Sequence, residues 1–335
     1  MKLIIQIPCY NEEETLPRTL GELPAEIKGI DVIETLIIND GSTDRTLQVA
    51  RGHGVDHIVN LPCNRGLAYA WATGLDEALR AGADIIVNTD GDNQYCGADI
   101  EKLVRPILEG EAEIVIGARP IEDIGHFSWI KKRLQRVGSW VVSRCAGVDV
   151  DDAASGFRAY SAETALALSV RSNYSHCTET LIRAARLGIR IKNVPIRVNA
   201  KLRESRLFSS MWRYLLRHAG DIFRIATMVH PLKVFGAPAA LFFLLGSVGC
   251  IRFLLFYLNG SGSGHVQSLI FSAIFIMVAF ILAMIGLVAD MISTNHQLIE
   301  DTLTRIKRLE VANGVERLAE KPNSRRGPRE GGESR

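Results

Sequence analysis

Two carboxylates stand one residue apart in VNTDGDNQY, residues 87–95. Asp90 and Asp92 follow directly on an apolar run and share their stretch with Asn88, Thr89, Asn93 and Gln94. Like charges this close repel, and a hard divalent cation relieves that repulsion. Mg2+ takes oxygen ligands, keeps several waters, and is typically held by one or two carboxylates plus the phosphates of a substrate. An Asp-x-Asp pair is therefore half of a site that a diphosphate would complete. Taken alone, Asp-Gly-Asp is also good turn chemistry.

Two further polar clusters resemble this one in position. CYNEEE (9–14) follows the apolar run LIIQIP, and NDGSTD (39–44) follows TLII. HIVN (57–60), DIIVNT (84–89) and EIVIGAR (113–119) are further strand-like runs. Between them, residues 66–81 repeat Leu67, Ala70, Trp71, Gly74, Leu75 and Ala78 at helical spacing. A helical stretch also runs to Ala50. Strands alternating with helices imply an α/β fold with a mostly parallel sheet. In such sheets ligands bind beyond the carboxyl ends of the strands, and all three polar clusters fall there. That shared edge favours a site over three unrelated turns. Asp44 reads as a cap for the helix that follows.

Residues 129–147 read as a helix, 151–161 as a turn into a short strand, 178–187 as a helix, and 190–198 as a strand with Pro195 at an edge or end. Neither GxGxxG after the first strand nor GxxxxGK[ST] occurs, so dinucleotide and P-loop readings lose their fingerprints. No HExxH or GxSxG is present.

The 335 residues carry 39 Lys+Arg against 37 Asp+Glu, a balance that gives no argument for nucleic acid. The charge is uneven: acids crowd the first hundred residues, and bases crowd 200–233 and the tail from 305. Six cysteines show no paired spacing, which suits reduced thiols rather than zinc or disulfides. The first residues lack the apolar length of a signal peptide. Val234–Leu258 holds one charge, Arg252, and Leu269–Ala289 holds none. Each matches the ~20 residues that cross a bilayer core. The link NGSGSGH lacks Lys and Arg, whereas both outer flanks are basic, so both termini are expected in the cytoplasm. Asn259-Gly-Ser reads as a turn. Arg252 hints at an internal partner, and a homo-oligomer through the spans stays open. Before the first span, Phe208, Met211, Trp212, Leu215, Ala219, Ile222 and Phe223 form one helical face with arginines opposite. A helix in the headgroup plane and a helix packed on the soluble domain both fit that pattern.

IPCYNEEETLP, LIINDGSTDRT, NRGLAYAWATGLDEALRAGAD, TDGDNQY, VIGAR and DAASGFRAYS together resemble a family 2 glycosyltransferase with the Rossmann-like GT-A fold. The likeness spans about residues 2–230 and is nearest the branch that charges polyprenyl or dolichyl phosphate, the dolichol-phosphate mannosyltransferase type. It implies a catalytic domain over 1–205, an interfacial region over 206–231, a two-helix transmembrane hairpin over 232–292 (about 234–258 and 269–292), and a basic cytoplasmic tail over 293–335 with a disordered end. Pro8, Tyr10 and Glu12 would line the nucleoside pocket, with Asp40 on the base. Asp90 would face ribose and metal, Gly91 would leave room beside it, and Asp92 with Gln94 would complete the protein's hold on Mg2+ or Mn2+. Arg119 would reach the phosphates. Tyr10 as plain packing and Asp40 as plain turn chemistry stay open.

The family pattern of Arg, Gly, Ser and Lys before the membrane is altered here to KLRESRLF, 201–208. Its charge survives, so Lys201, Arg203 and Arg206 are expected at phosphates, with ordinary attraction to anionic lipid as the alternative. The implied reaction moves a sugar, with inversion, from a UDP- or GDP-linked donor to undecaprenyl or dolichyl phosphate at the cytoplasmic face of the inner membrane. Cations and arginines would stabilise the leaving diphosphate. A phosphate acceptor is already an anion and needs little help from a base. A hydroxyl acceptor would need one, and Asp151, Asp152 and Glu179 are the candidates, with Arg158 expected to pair with one of these acids. Processive relatives carry QxxRW and more spans; MWRYL lacks the Gln. An inactive nucleotide-sugar-binding scaffold is disfavoured by the intact Asp40, Asp90, Asp92, Gln94 and Arg119.

Overall fold

The structure is a computed structural model, and it describes residues 1–120, 149–168, 176–199, 230–259 and 266–319, with a few positions between 139 and 147 and between 220 and 227. Lys201, Arg203 and Arg206, most of the helices expected over 129–147 and 207–225, and the end of the tail lie outside the described residues.

Seven strands form one sheet: β1 (Lys2–Cys9), β2 (Val32–Asn39), β3 (His57–Asn60), β4 (Ile85–Asn88), β5 (Ile114–Ala118), β6 (Arg158–Ser161) and β7 (Ile191–Pro195). Their order is β3-β2-β1-β4-β6-β5-β7. All neighbours are parallel except β6, which runs antiparallel to β4 and β5. This is the expected GT-A-like, mostly parallel arrangement. Pro195 ends the edge strand β7, where no further strand needs its missing N–H.

β1 is buried almost throughout because both faces are covered. Alternate residues feed two cores. Ile4 joins Leu36, Ile38, Trp71, Leu75, Ile86 and Leu181 under helices α3 (Leu67–Arg80), α5 (Ala162–Leu168) and α6 (His176–Arg186). Leu3, Ile5 and Ile7 join Leu16, Ile100, Leu103 and Val104 under α1 (Leu16–Gly21) and α4 (Ile100–Leu108). Helix α2 (Thr46–Gly52) follows β2. Gln6 breaks the apolar run on the α3 side, and its amide donates to Asn88 at 2.9 Å. Gly74 makes room for it: a Cβ there would sit 2.5 Å from Gln6 Oε1.

α7 (Pro231–Leu258) and α8 (Val266–Ala319) are both long and apolar enough to cross a membrane. They pack through small residues, with a Cβ at Gly246 falling 2.7 Å from Ile276 and one at Gly249 falling 2.0 Å from the Ser272 hydroxyl. Asn259 caps α7 in a turn, as expected. The second helix runs on as one helix to Ala319, so it also takes in the first part of the basic stretch after 292. Arg252 lies over the Phe256 ring, 5.7 Å from its centroid. The described cysteines 9, 63, 96, 177 and 250 form no disulfide with one another.

Candidate active site

The loops after β1 and β2 are laced together. Asn11, with φ 55°, donates its N–H to the Ser42 hydroxyl at 3.0 Å, and its side-chain oxygen accepts Thr43 N–H at 2.8 Å. Glu12 N–H donates to Thr46 Oγ1 at 2.8 Å. Asp44, one residue before the N-cap Arg45, accepts the Thr46 N–H and hydroxyl at 3.0 and 2.5 Å and so ties down the start of α2. Burial works against the charge on Asp44, but these Thr46 bonds and the Glu13 N–H hold its carboxyl below the ordinary value.

Asp40 is buried, and its two oxygens accept the Arg65 and Gly66 N–H groups at 2.8 and 2.9 Å. Its carboxylate thus shapes the loop that starts α3. Gly41, at φ +66°, touches the same loop: a Cβ would fall 2.4 Å from the Cys63 carbonyl carbon.

Asp90 and Asp92 emerge at the carboxyl end of β4, beside these loops. Gly91 packs where a Cβ would meet Cys9 Sγ at 3.0 Å and Glu12 Cγ at 3.3 Å. Its carbonyl lies 2.9 Å from the Thr15 hydroxyl, which also reaches the Glu12 carboxylate at 2.8 Å. Glu12 and Pro8 are buried, while Tyr10 is exposed. Asp92 accepts Gln94 N–H at 3.1 Å across Asn93, whose φ is 56°. The structure therefore brings Pro8, Glu12, Gly91 and the Asp90–Gln94 loop to one edge, next to Asp40.

Arg119 is buried, and its Nε and Nη2 donate to the two oxygens of Asp152 at 2.6 and 3.0 Å. Burial opposes its charge, yet Tyr95, Asp152 and Asp90 outweigh that and raise its pKa. Burial likewise pushes the Tyr95 phenol up, with Asp90 and Asp152 adding to the effect and Arg119 opposing it. Tyr95 stacks on Phe157 at 4.9 Å and accepts Gly156 N–H at 3.2 Å. Asp90, Tyr95, Arg119 and Asp152 are thus one electrostatic group.

Two corrections follow. Arg158 is not paired with Asp151, Asp152 or Glu179. It is buried and donates to the carbonyls of Ala153, Ser155 and Cys177 and to the Thr180 hydroxyl. Asp152 takes Arg119 instead, and its Oδ1 also accepts Ala154 N–H at 3.2 Å. Both oxygens of Asp152 are thus engaged by Arg119. Sequence reasoning also missed the buried Gln6–Asn88–Gly156 chain, in which Asn88 donates to the Gly156 carbonyl at 2.7 Å. A lone Gln within LIIQIP was its visible signal.

Residues 4–165 match glycosyl transferase family 2. Undecaprenyl-phosphate mannosyltransferase of Micrococcus luteus is 30% identical over 218 residues, which cover 62% of this chain and 88% of that one. The chain belongs to glycosyl transferase family 2. It is a glycosyltransferase with a GT-A-like sheet. UDP-N-acetylglucosamine–dolichyl-phosphate N-acetylglucosaminyltransferase of Methanococcus voltae is 29% identical over 213 residues, covering 57% of this chain and 83% of that one. Among solved structures, glucosyl-3-phosphoglycerate synthase of Mycobacterium tuberculosis is similar with a TM-score of 0.49 at 21% identity, over 70% of this chain and 78% of that one.

The Asp90–Asp92 loop fits a hard cation by its donors, which are all oxygen. Space is kept beside it, since Gly156 lacks the Cβ that would sit 3.3 Å from Asp90 Oδ1. Among the described residues no three His, Cys, Asp or Glu side chains converge as a closed cage. A cation here would depend on ligands brought by a substrate.

Proposed function

We propose that this family 2 glycosyltransferase moves a sugar from a UDP- or GDP-linked donor to a polyprenyl phosphate at the membrane surface. The observation that carries the reading is the Asp90–Asp92 loop on a chain with two membrane-length helices. The names of the relatives, undecaprenyl-phosphate and dolichyl-phosphate sugar transferases, supply the acceptor class. Asp90, Asp92 and Gln94 would hold Mg2+ or Mn2+, which supplies positive charge for the departing diphosphate.

The chain's own residues account for the rest. The loop held by Asp40, together with Pro8, Tyr10 and Glu12, forms the wall for the nucleoside. Arg119, fixed by Asp152, adds permanent positive charge beside Asp90, where charge develops as the sugar–phosphate bond breaks. Lys201, Arg203 and Arg206 offset repulsion between the two phosphate groups. Their chain enters from Asn199, whose N–H is bonded to the Gln94 carbonyl at 2.9 Å. Lys201 follows two residues later, at most ~7 Å further along the chain. The occupied Asp152 carboxylate agrees with an acceptor that needs no base. The basic outer flanks and the Lys- and Arg-free link between the two apolar helices support a catalytic domain at the cytoplasmic face of the inner membrane.

The test uses purified full-length protein with Mg2+ or Mn2+, labelled nucleotide sugars and polyprenyl phosphate. A lipid-linked sugar is expected with at least one donor. Asp92→Ala is expected to lower kcat/KM more than ~100-fold, the several kcal/mol a metal contributes to the transition state. Absence of product with every donor overturns the acceptor assignment, and full activity in Asp92→Ala overturns the metal assignment.

A further inference from the structure

The loop bearing Asp90 and Asp92 is tied to the chain that leads into the basic stretch. Gln94 carbonyl accepts Asn199 N–H, and Tyr95 bridges Val198 in antiparallel fashion. Arg197 donates its backbone N–H to Asp99 at 2.7 Å and its guanidinium to the same buried carboxylate at 2.8 Å. A second pin comes from a third element. Glu22, just past α1, accepts Asn93 Nδ2 on Oε1 at 3.0 Å and Asn199 Nδ2 on Oε2 at 2.8 Å. The contact is close: a Cβ on Gly97 would lie 2.2 Å from the Glu22 carbonyl oxygen.

We propose that Glu22 is a positioning residue that couples the donor side of the reaction to the acceptor side. The proposal rests on the function proposed above for the names of the two sides. One carboxylate spans Asn93, inside the metal loop, and Asn199, two residues before Lys201. Seating a diphosphate against Asp90 and Asp92 therefore also bears, through Glu22, on Asn199. A carboxylate suits these partners as they stand, since both oxygens accept and both partners present amide N–H groups. Gln keeps one acceptor and offers a second donor to a donor. The Asn93 bond above all, joined by the Asn199 bond, holds the Glu22 carboxyl below its ordinary value against the opposing effect of burial, so the charged form is the one in use. Asp99 and Arg197 anchor the strand pairing itself, and Glu22 is exposed, so the fold does not depend on it.

The experiment compares wild type, Glu22→Ala and Glu22→Gln as full-length protein in detergent. Glu22→Ala is expected to raise KM for polyprenyl phosphate ~10-fold, the size of effect of losing an orienting partner. KM for the nucleotide sugar is expected to stay within about twofold, a split that marks loss of acceptor positioning alone. Amide hydrogen exchange supplies a readout without turnover. Mn2+ with UDP or GDP is expected to slow exchange across 196–206 in wild type and not in Glu22→Ala. An unchanged acceptor KM, donor and acceptor KM rising together, or no slowing in wild type overturns the coupling. If wild type makes no lipid-linked product, the proposed function fails, and the exchange result alone decides the role of Glu22.

Discussion

At the scale of single residues, the buried Arg119–Asp152 pair separates two mechanisms. A general base contributes roughly 10^2- to 10^4-fold to rate. Asp152 has both oxygens committed to Arg119, so its work is to hold a guanidinium beside Asp90. Asp152→Ala leaves that guanidinium buried without a partner, which costs about 3–5 kcal/mol of stability. Asp152→Asn keeps the shape and removes the charge. We expect Asp152→Asn to lower the melting temperature and to leave the form of the pH–rate profile unchanged. A profile that loses its acidic limb would make Asp152 the base. The pair was not legible in the sequence, because the partners lie 33 positions apart and each looks equally suited to the other acids and arginines nearby. Asp44 was legible, because a cap depends on residues two positions away.

At the scale of elements, legibility follows how local the cause is. Apolar runs ended by polar clusters gave β1, β2 and β4, and helical spacing gave α3. The six-residue α1, with Pro17 in its first turn, is too short to show a period, whereas α4 carries one in Ile100, Leu103, Val104, Ile107 and Leu108 but holds Pro106, which reads as a helix breaker. The antiparallel insertion of β6 between β4 and β5 is a matter of pairing partners, which four residues cannot announce. The loops at the strand ends carry a sharper expectation. Gly41 has φ +66° and backbone against its missing Cβ at 2.4 Å, so the loop after β2 and the chain at Cys63 have no room to part cheaply. Gly41→Ala combines a left-handed backbone with a clash and should cost about 2 kcal/mol or more. Because Asp40 ties the same loop to α3, the loss should appear as weaker nucleotide binding as well as a lower unfolding midpoint in denaturant. Gly54, also at positive φ but with open space around it, is the control and should cost less.

At the scale of the whole molecule, α8 explains how a soluble domain can work on a lipid. Its 54 residues make a rod of roughly 80 Å, well beyond the ~30 Å of a bilayer core. The portion past 292 was read from sequence as a basic tail with a disordered end, because its charges dominate its composition. Those charges are spent on the catalytic domain. Glu300 pairs with Arg183 of α6 at 3.0 Å, Thr304 accepts from the same arginine at 3.1 Å, and Lys307 pairs with Asp76 of α3 at 2.9 Å. Glu300 stands eight positions beyond Ile292, about 12 Å of helix, and these bonds tie α8 to α3 and α6 of the catalytic domain. The Arg183–Glu300 and Lys307–Asp76 pairs are largely shielded from solvent, which makes them worth more than ordinary surface pairs. A charge reversal at the contact should therefore act on reach rather than on chemistry. Glu300→Arg is expected to lower turnover of long-chain polyprenyl phosphate in vesicles several-fold, about the effect of 1 kcal/mol, while turnover of a short water-soluble polyprenyl phosphate in detergent stays close to wild type. Adding Arg183→Glu restores an opposite-charge pair and should recover the vesicle activity. Equal loss on both acceptors, or no recovery in the swapped pair, would mean that α8 only anchors the domain and does not aim it.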